Sequence, residues 1–182
     1  MKDAVDELIQ HCKERGLRRT RMMSRVHRFH KTNRQVLDFL IQELREVRES
    51  GWPKTSLGSL WHHARWVLTQ KYRVPGETFV MSNNLFPHYE RIIIILHPEF
   101  NGFYDMAKSK ADTDLGTVIE SVAKNQKRGY VRRLLWADGT SIEHGWRPTT
   151  PHVPKPVSRR ERVRRKPPTD VGLESKVERH GS

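Results

Sequence analysis

The sequence predicts a mainly α-helical protein: a compact helical bundle with a C-terminal β-hairpin and basic tails that are disordered alone. Three observations lead there. Apolar residues recur at helical spacing through two long stretches between positions 36 and 68, the pattern of amphipathic helices with one buried stripe. Around residues 130–146 the period shortens to alternating runs flanking an Asp-Gly pair, a hairpin signal. The charge sits at the two ends. Residues 1–34 hold 10 Lys and Arg against 4 Asp and Glu, and residues 147–182 hold the same numbers, whereas 35–123 hold 9 against 11 and 124–146 hold 5 against 2. The net charge of +13 is therefore carried by extensions of a near-neutral centre, and such extensions are too polar to bury a core.

The boundaries read as a basic N-terminal arm with a short helix over 1–31, a helical domain over 32–129, the hairpin over 130–146, and a Pro- and Arg-rich tail over 147–182. The 182 residues are enough for one domain with a core. No apolar run approaches the ~20 residues that span a bilayer; the densest, Ile92 to Leu96, has five. The start, Met1-Lys2-Asp3-Ala4-Val5-Asp6, lacks the basic-then-apolar order of a secretory leader. A lone Cys12 excludes an internal disulfide and fits a reducing compartment.

Taken in order, residues 2–15 suit a short amphipathic helix with Val5, Leu8 and Ile9 on one face. From Lys13 to Arg34 there are nine cations and one acid, and Arg25, Arg28, Lys31 and Arg34 recur every three residues, an array expected to order on an anionic partner. The first long helix is expected to start at Thr32 or Asn33, where Thr32-Asn33-Arg34-Gln35 has capping-box form. Its stripe is Val36, Leu37, Leu40, Ile41, Leu44 and Val47, stopped by Ser50-Gly51 and Pro53. The next starts at Thr55 or Ser56 and buries Leu57, Leu60, Trp61, Ala64, Val67 and Leu68. Pro75-Gly76 marks a turn, and Thr78 to Met81 suit one short strand.

Ser82-Asn83-Asn84 are good N-caps for a further helix, with Pro87 tolerated in its first turn and Pro98 ending it. Its isoleucine run is apolar all round, so this helix belongs at the centre of the fold. A short segment from Glu99 to Ala107 puts Phe100, Phe103 and Tyr104 on one side. Asp112-Thr113-Asp114 is read as capping a fifth helix with Leu115, Val118, Ile119 and Val122 inward, closed by Lys127-Arg128-Gly129. The hairpin then pairs 130–136 with 140–146 across Ala137-Asp138-Gly139.

A neutral body with cationic extensions suits a polyanion, because Lys and Arg that neutralise phosphates release condensed counterions. The densest candidate is Arg159, Arg160, Arg162, Arg164, Arg165 and Lys166, six cations within eight residues. Arg18, Arg19, Arg21, Arg25 and Arg28 are the N-terminal counterpart. Lys127, Arg128, Arg132 and Arg133 would arm the hairpin as a wing on a backbone or minor groove. Helix, turn and second helix between 56 and 96 is the order of a helix-turn-helix, and Asn83, Asn84, His88 and Arg91 would then face bases, since Asn pairs with adenine and Arg with guanine. The connection from Lys71 to Met81 is longer than the usual turn of that motif. Trp52 and Trp66 are the tryptophans least committed to a core.

The ten histidines and single cysteine show no zinc spacing, and no phosphate loop, nucleophile elbow or Cys–His arrangement stands out. The expectation is no metal, no cofactor and no catalytic residue.

Trp61 to Met106, with Ser82-Asn83-Asn84, Tyr89-x-Arg91 and His97-Pro98-Glu99-Phe100-x-Gly102-Phe103-Tyr104, resembles small phage- and prophage-encoded proteins regarded as DNA-binding. The match covers about a quarter of the chain, and Glu90 departs from it where the pattern has a small residue. The resemblance implies a viral or mobile-element origin, and a host cytoplasm or nucleoid location. The expected function is binding of nucleic acid, duplex DNA before RNA, in a setting such as transcription regulation. The alternatives are a ribonucleoprotein subunit, a phage effector that blocks a host protein, and a nuclease using Glu90 or Glu99.

Overall fold

The computed structural model describes residues 3–72, 79–123, 130–143, 146–149 and 152–154. They form six helices, α1 (Ala4–Glu14), α2 (Arg21–Thr32), α3 (Arg34–Glu49), α4 (Leu57–Lys71), α5 (Phe86–Leu96) and α6 (Lys110–Leu115), followed by an antiparallel pair, β1 (Thr117–Ala123) and β2 (Tyr130–Trp136). The protein is mainly helical with a C-terminal β-hairpin. Among the described residues no helix is long and apolar enough to cross a membrane.

The N-terminal region is part of the core, which corrects its reading as a separate arm. Asp3 caps α1 by accepting from Val5 N at 2.8 Å, and Thr20 caps α2 by accepting from Met23 N at 3.0 Å. Val5, Leu8 and Cys12 of α1, and Met23 and Val26 of α2, are buried in one cluster with α3, α4 and α5. The two helices are also joined by side-chain hydrogen bonds: His27 Nε2 lies 2.6 Å from Asp6 Oδ1 and His30 Nε2 lies 3.2 Å from Asp3 Oδ2. Each pair of partners is three residues apart on its own helix, so both contacts form between antiparallel faces.

α3 has Asn33, one of the two expected starting residues, at its N-cap position. Thr32 ends α2 with its hydroxyl donating back to Phe29 O at 3.1 Å, and Asn33 separates the helices without a capping bond of its own. The expected Thr32–Gln35 box is therefore absent, while the stripe Val36, Leu37, Leu40, Ile41 and Leu44 is buried as its spacing requires. On α4, Leu57, Trp61, Ala64 and Leu68 are buried. Phe79 to Met81 form no strand, and Thr78 lies outside the described residues.

α5 is the centre of the fold. A 3₁₀ turn, Asn83–Leu85, leads into it, and His88 to Ile95 are all buried against neighbours that include α3, α4 and α6. The segment after it is not a helix. Pro98–Phe100 makes a single 3₁₀ turn, and Phe103 O accepts from Thr55 N at 3.0 Å. Gly102, at φ +83°, would bring a Cβ within 2.9 Å of Val131 Cγ1, so a side chain is excluded on both conformation and space.

The expected fifth helix divides in two. Ser109 and Asp112 form a capping box for the six-residue α6, and Gly116 stops it at φ +65°, where a Cβ would meet Leu17 Cδ1 at 2.9 Å. The β-branched run that follows becomes β1. Its register runs from Thr117 opposite Trp136 to Ala123 opposite Tyr130, so the hairpin joins 117–123 to 130–136 and not 130–136 to 140–146. Ala137-Asp138-Gly139 is still a turn, with Trp136 N donating to Thr140 O at 3.0 Å, but only the isolated bridge Leu135–Ser141 extends it. The outer edge of β2 is closed by one side chain: Asn101 Oδ1 accepts from Leu134 N at 2.8 Å and Asn101 Nδ2 donates to Leu134 O at 2.9 Å.

Described residues beyond the expected boundary at 147 belong to the packed body. The Trp146 ring stacks on His11 with centroids 5.1 Å apart, and Thr149 N donates to Glu7 Oε2 at 2.8 Å. His152 is held between Asp38 Oδ1 at 3.0 Å and His97 Nε2 at 3.2 Å. The described residues end at Pro154. Residues 155–182, with the whole run Arg159, Arg160, Arg162, Arg164, Arg165 and Lys166, lie outside the described residues, as do Lys127 and Arg128.

Candidate nucleic-acid interface

On α2, burial of Met23, Val26 and His30 at helical spacing sends Arg21, Arg25 and Arg28 outward as a row on the opposite face. None of the three forms an ion pair with a described residue, and neither do Arg18 just before the helix and Lys110 at the start of α6. The every-three-residue array does not persist past α2, because Arg34 begins α3 and pairs with Asp3 at 3.1 Å. Arg19 is engaged too, its Nη2 lying 2.9 Å from His27 Nδ1.

The row borders a groove of about 900 Å³ whose other wall is the Asn83-Asn84 turn and the start of α6, with Pro87, His88 and Ser109 at its base. The fold thus brings together six of the sequence-predicted residues, Arg21, Arg25, Arg28, Asn83, Asn84 and His88. Asn83 is partly used, since Arg65 Nη2 donates to its Oδ1. The exposed Asn84 side chain makes no hydrogen bond to a described residue. Lys110 was missed by sequence reading. Its only signal was its place beside the Ser109 cap, which becomes meaningful once α6 is known to start there.

His88 and Arg91 are internal, which corrects their assignment as base-facing. Arg91 is 0% exposed. It donates to Glu90 Oε2 at 2.6 Å, to both carboxylate oxygens of Asp112 at 3.0 and 3.2 Å, and to the carbonyls of Pro87 at 3.1 Å and Ala107 at 2.6 Å. The physical reason is the helix itself: a segment enclosed on all sides buries its polar residues, which must then find partners inside. His88, 2% exposed, has Nε2 at 2.8 Å from Asp114 Oδ2, and the same oxygen accepts from Thr20 Oγ1 at 3.0 Å. Its Nδ1 has no partner among the described residues. A helix-turn-helix reading, with α5 laid in a DNA groove, is incompatible with this burial.

Burial pushes the Glu90 carboxyl up to about 7, against the pull of the Arg91 guanidinium. The folded state therefore keeps a proton that the unfolded chain releases near 4.5, and this contribution to stability is present below that pH and lost as pH rises toward 7. Asp3 acts in the other direction. A hydrogen bond from His30, above all, holds it down to about 2, so its contribution is present above about pH 4 and lost as pH falls. We expect the unfolding free energy, read by urea titration, to fall between pH 5 and pH 7.5 by an amount on the order of 2 kcal/mol, and Glu90→Gln to flatten that fall. A Glu90→Gln profile parallel to the parent's would exclude Glu90 as the titrating group.

On the hairpin, Arg132 Nη1 donates to Met106 O at 2.6 Å, while Arg133 is exposed opposite Glu120 in the strand register. Trp61 and Trp136 are interior, whereas Trp52 and Trp66 are 65% and 48% exposed. No protein-family model matches the chain, and no match was found among the curated proteins or the solved structures.

Proposed function

We propose that the protein binds nucleic acid, with phosphates held by the Arg21–Arg25–Arg28 row and by the basic residues of the chain's ends. The observation that carries this reading is three guanidinium groups on one exposed helix face, none of which forms an ion pair with a described residue. Seven residues of α-helix rise about 10 Å, and one DNA strand carries a phosphate about every 3.4 Å along its axis. Three cations over that length match one strand's charge density. The resemblance of residues 61–106 to small phage- and prophage-encoded proteins points to a mobile-element origin and brings no activity with it. A preference for duplex DNA drew on an outward helix start and a hairpin wing. With His88 and Arg91 internal, phosphate contact is the part of that argument that stays.

The test is a filter-binding salt series on the full chain, on a chain ending at Pro154, and on the triple variant Arg21→Ala/Arg25→Ala/Arg28→Ala. On duplex DNA the triple variant is expected to flatten the log–log salt slope by about 2.7, at roughly 0.9 per phosphate. The chain ending at Pro154 is expected to lose further slope with its thermal unfolding unchanged, since the His152 contacts to Asp38 and His97 are retained. An unaltered slope in the triple variant removes α2 from the interface.

A further inference from the structure

The two walls of the groove differ in chemistry. One carries Arg21, Arg25 and Arg28, interspersed with Thr20, Met22 and Ser24. The other carries Lys110, the Asp114 carboxylate and Asn84, a neutral amide with donor and acceptor both unused by any described residue. Asn83 beside it already accepts from Arg65 at its oxygen, which leaves it one acceptor site and its NH₂. A bidentate contact to a base edge needs both halves of one amide, and the edge that matches Asn is adenine's N6 and N7. His88 also lines the groove, and its buried Nδ1 has no partner among the described residues.

Shape decides what can enter. A concavity of about 900 Å³ lies in the range of small-molecule sites, and a base can reach an amide inside it when it is free to turn out of a stack. A double helix offers its bases only from within its own grooves, which a bay in the protein surface cannot penetrate; readers of the major groove project an element outward. Here the element that would project, α5, is enclosed.

We propose that the groove holds one unpaired nucleotide of a single-stranded nucleic acid, its flanking phosphates on Arg21, Arg25 and Arg28 and its base on Asn84, with adenine preferred. This inference rests on the nucleic-acid reading above and narrows it to one substrate class.

The experiment is fluorescence anisotropy at one fixed salt concentration with four labelled probes: a mixed-sequence single strand, its duplex, oligo(dA) and oligo(dT). The proteins are the full chain, Asn84→Ala, Asn84→Asp and the triple arginine variant. The full chain is expected to bind the single strand more tightly than its duplex, and oligo(dA) over oligo(dT) by between about 5- and 100-fold, the worth of one bidentate contact. Asn84→Ala removes the dA over dT difference. Asn84→Asp does so as well, keeping the shape but losing the NH₂ donor. The triple arginine variant weakens all four probes together. Equal affinity for oligo(dA) and oligo(dT), tighter binding of the duplex, or a base preference that survives in Asn84→Ala overturns the inference while nucleic-acid binding stands. Failure of the full chain to bind any probe in dilute buffer overturns both.

Discussion

Arg91→Met is expected to lower the unfolding free energy by about 3–5 kcal/mol, read as a lower urea midpoint at pH 7.5. Methionine fills much of the same space, so the cost comes from charge. Arg91 neutralises Glu90 and Asp112 and satisfies the carbonyls of Pro87 and Ala107. Its removal leaves the buried Glu90 carboxylate without its guanidinium partner, while Asp112 keeps the Ser109 and Thr117 donors, and breaking a buried pair on one side is far more damaging than replacing both partners. Two refinements separate this account from simple misfitting. The loss shrinks toward pH 5, where Glu90 takes up a proton. The double variant Glu90→Gln/Arg91→Met recovers part of it. A single variant as stable as the parent at pH 7.5 means that the cluster is solvated, and the case for Arg91 as a base-reading residue reopens.

Leu8→Ala is expected to cost about 2–5 kcal/mol, although Leu8 lies in a segment with 10 Lys and Arg among its 34 residues. Its side chain is fully enclosed with Val5, Cys12, Met23 and Val26, and shortening it leaves a cavity among well-packed neighbours. The salt slope of nucleic-acid binding stays the same in this variant, because no cation is moved. Were Leu8→Ala to unfold at the parent's urea concentration, α1 would not be seated on the body.

How the N-terminal region hides its fold follows from its amphipathic geometry. Counting 10 cations in 34 residues averages over both faces of two helices. The outer face of α2 holds Arg21, Arg25 and Arg28, and the inner face holds Met23, Val26 and His30. Read by period, the same residues announce a buried stripe. Asp3 and Asp6 likewise share the three-residue spacing of His27 and His30, a complementarity visible in the sequence once antiparallel packing is considered. The helices α3, α4 and α5 were legible because apolar spacing alone decides them.

The stretch 112–122 was ambiguous for a specific reason. Leu115, Val118, Ile119 and Val122 satisfy a helical repeat, yet Gly116 precedes a β-branched run that satisfies a strand. The deciding facts are tertiary, the close approach of Leu17 to Gly116 and the pairing with β2. His88 and Arg91 were misplaced although the enclosing of the isoleucine run already implied their burial, since a helix wrapped on every side has no outer face on which to display them. Asn83, Asn84 and the α2 arginines were each identified from residue type alone. That they share one groove depends on the packing of the Asn83–Leu85 turn against α2, which no local pattern encodes.

The closure of the hairpin edge by Asn101 carries a chemical consequence. Asn101 is followed by Gly102, and an Asn-Gly step is the one most open to attack of the following backbone nitrogen on the amide, since glycine puts no side chain in the way. Both ends of that amide are engaged with Leu134, which holds the carbonyl carbon out of reach while the strand is seated. Ageing of the protein at this position is thereby coupled to local opening: each cyclisation records a moment when β2 had lifted away. The aspartate it leaves cannot donate to Leu134 O, so the seal does not re-form as before.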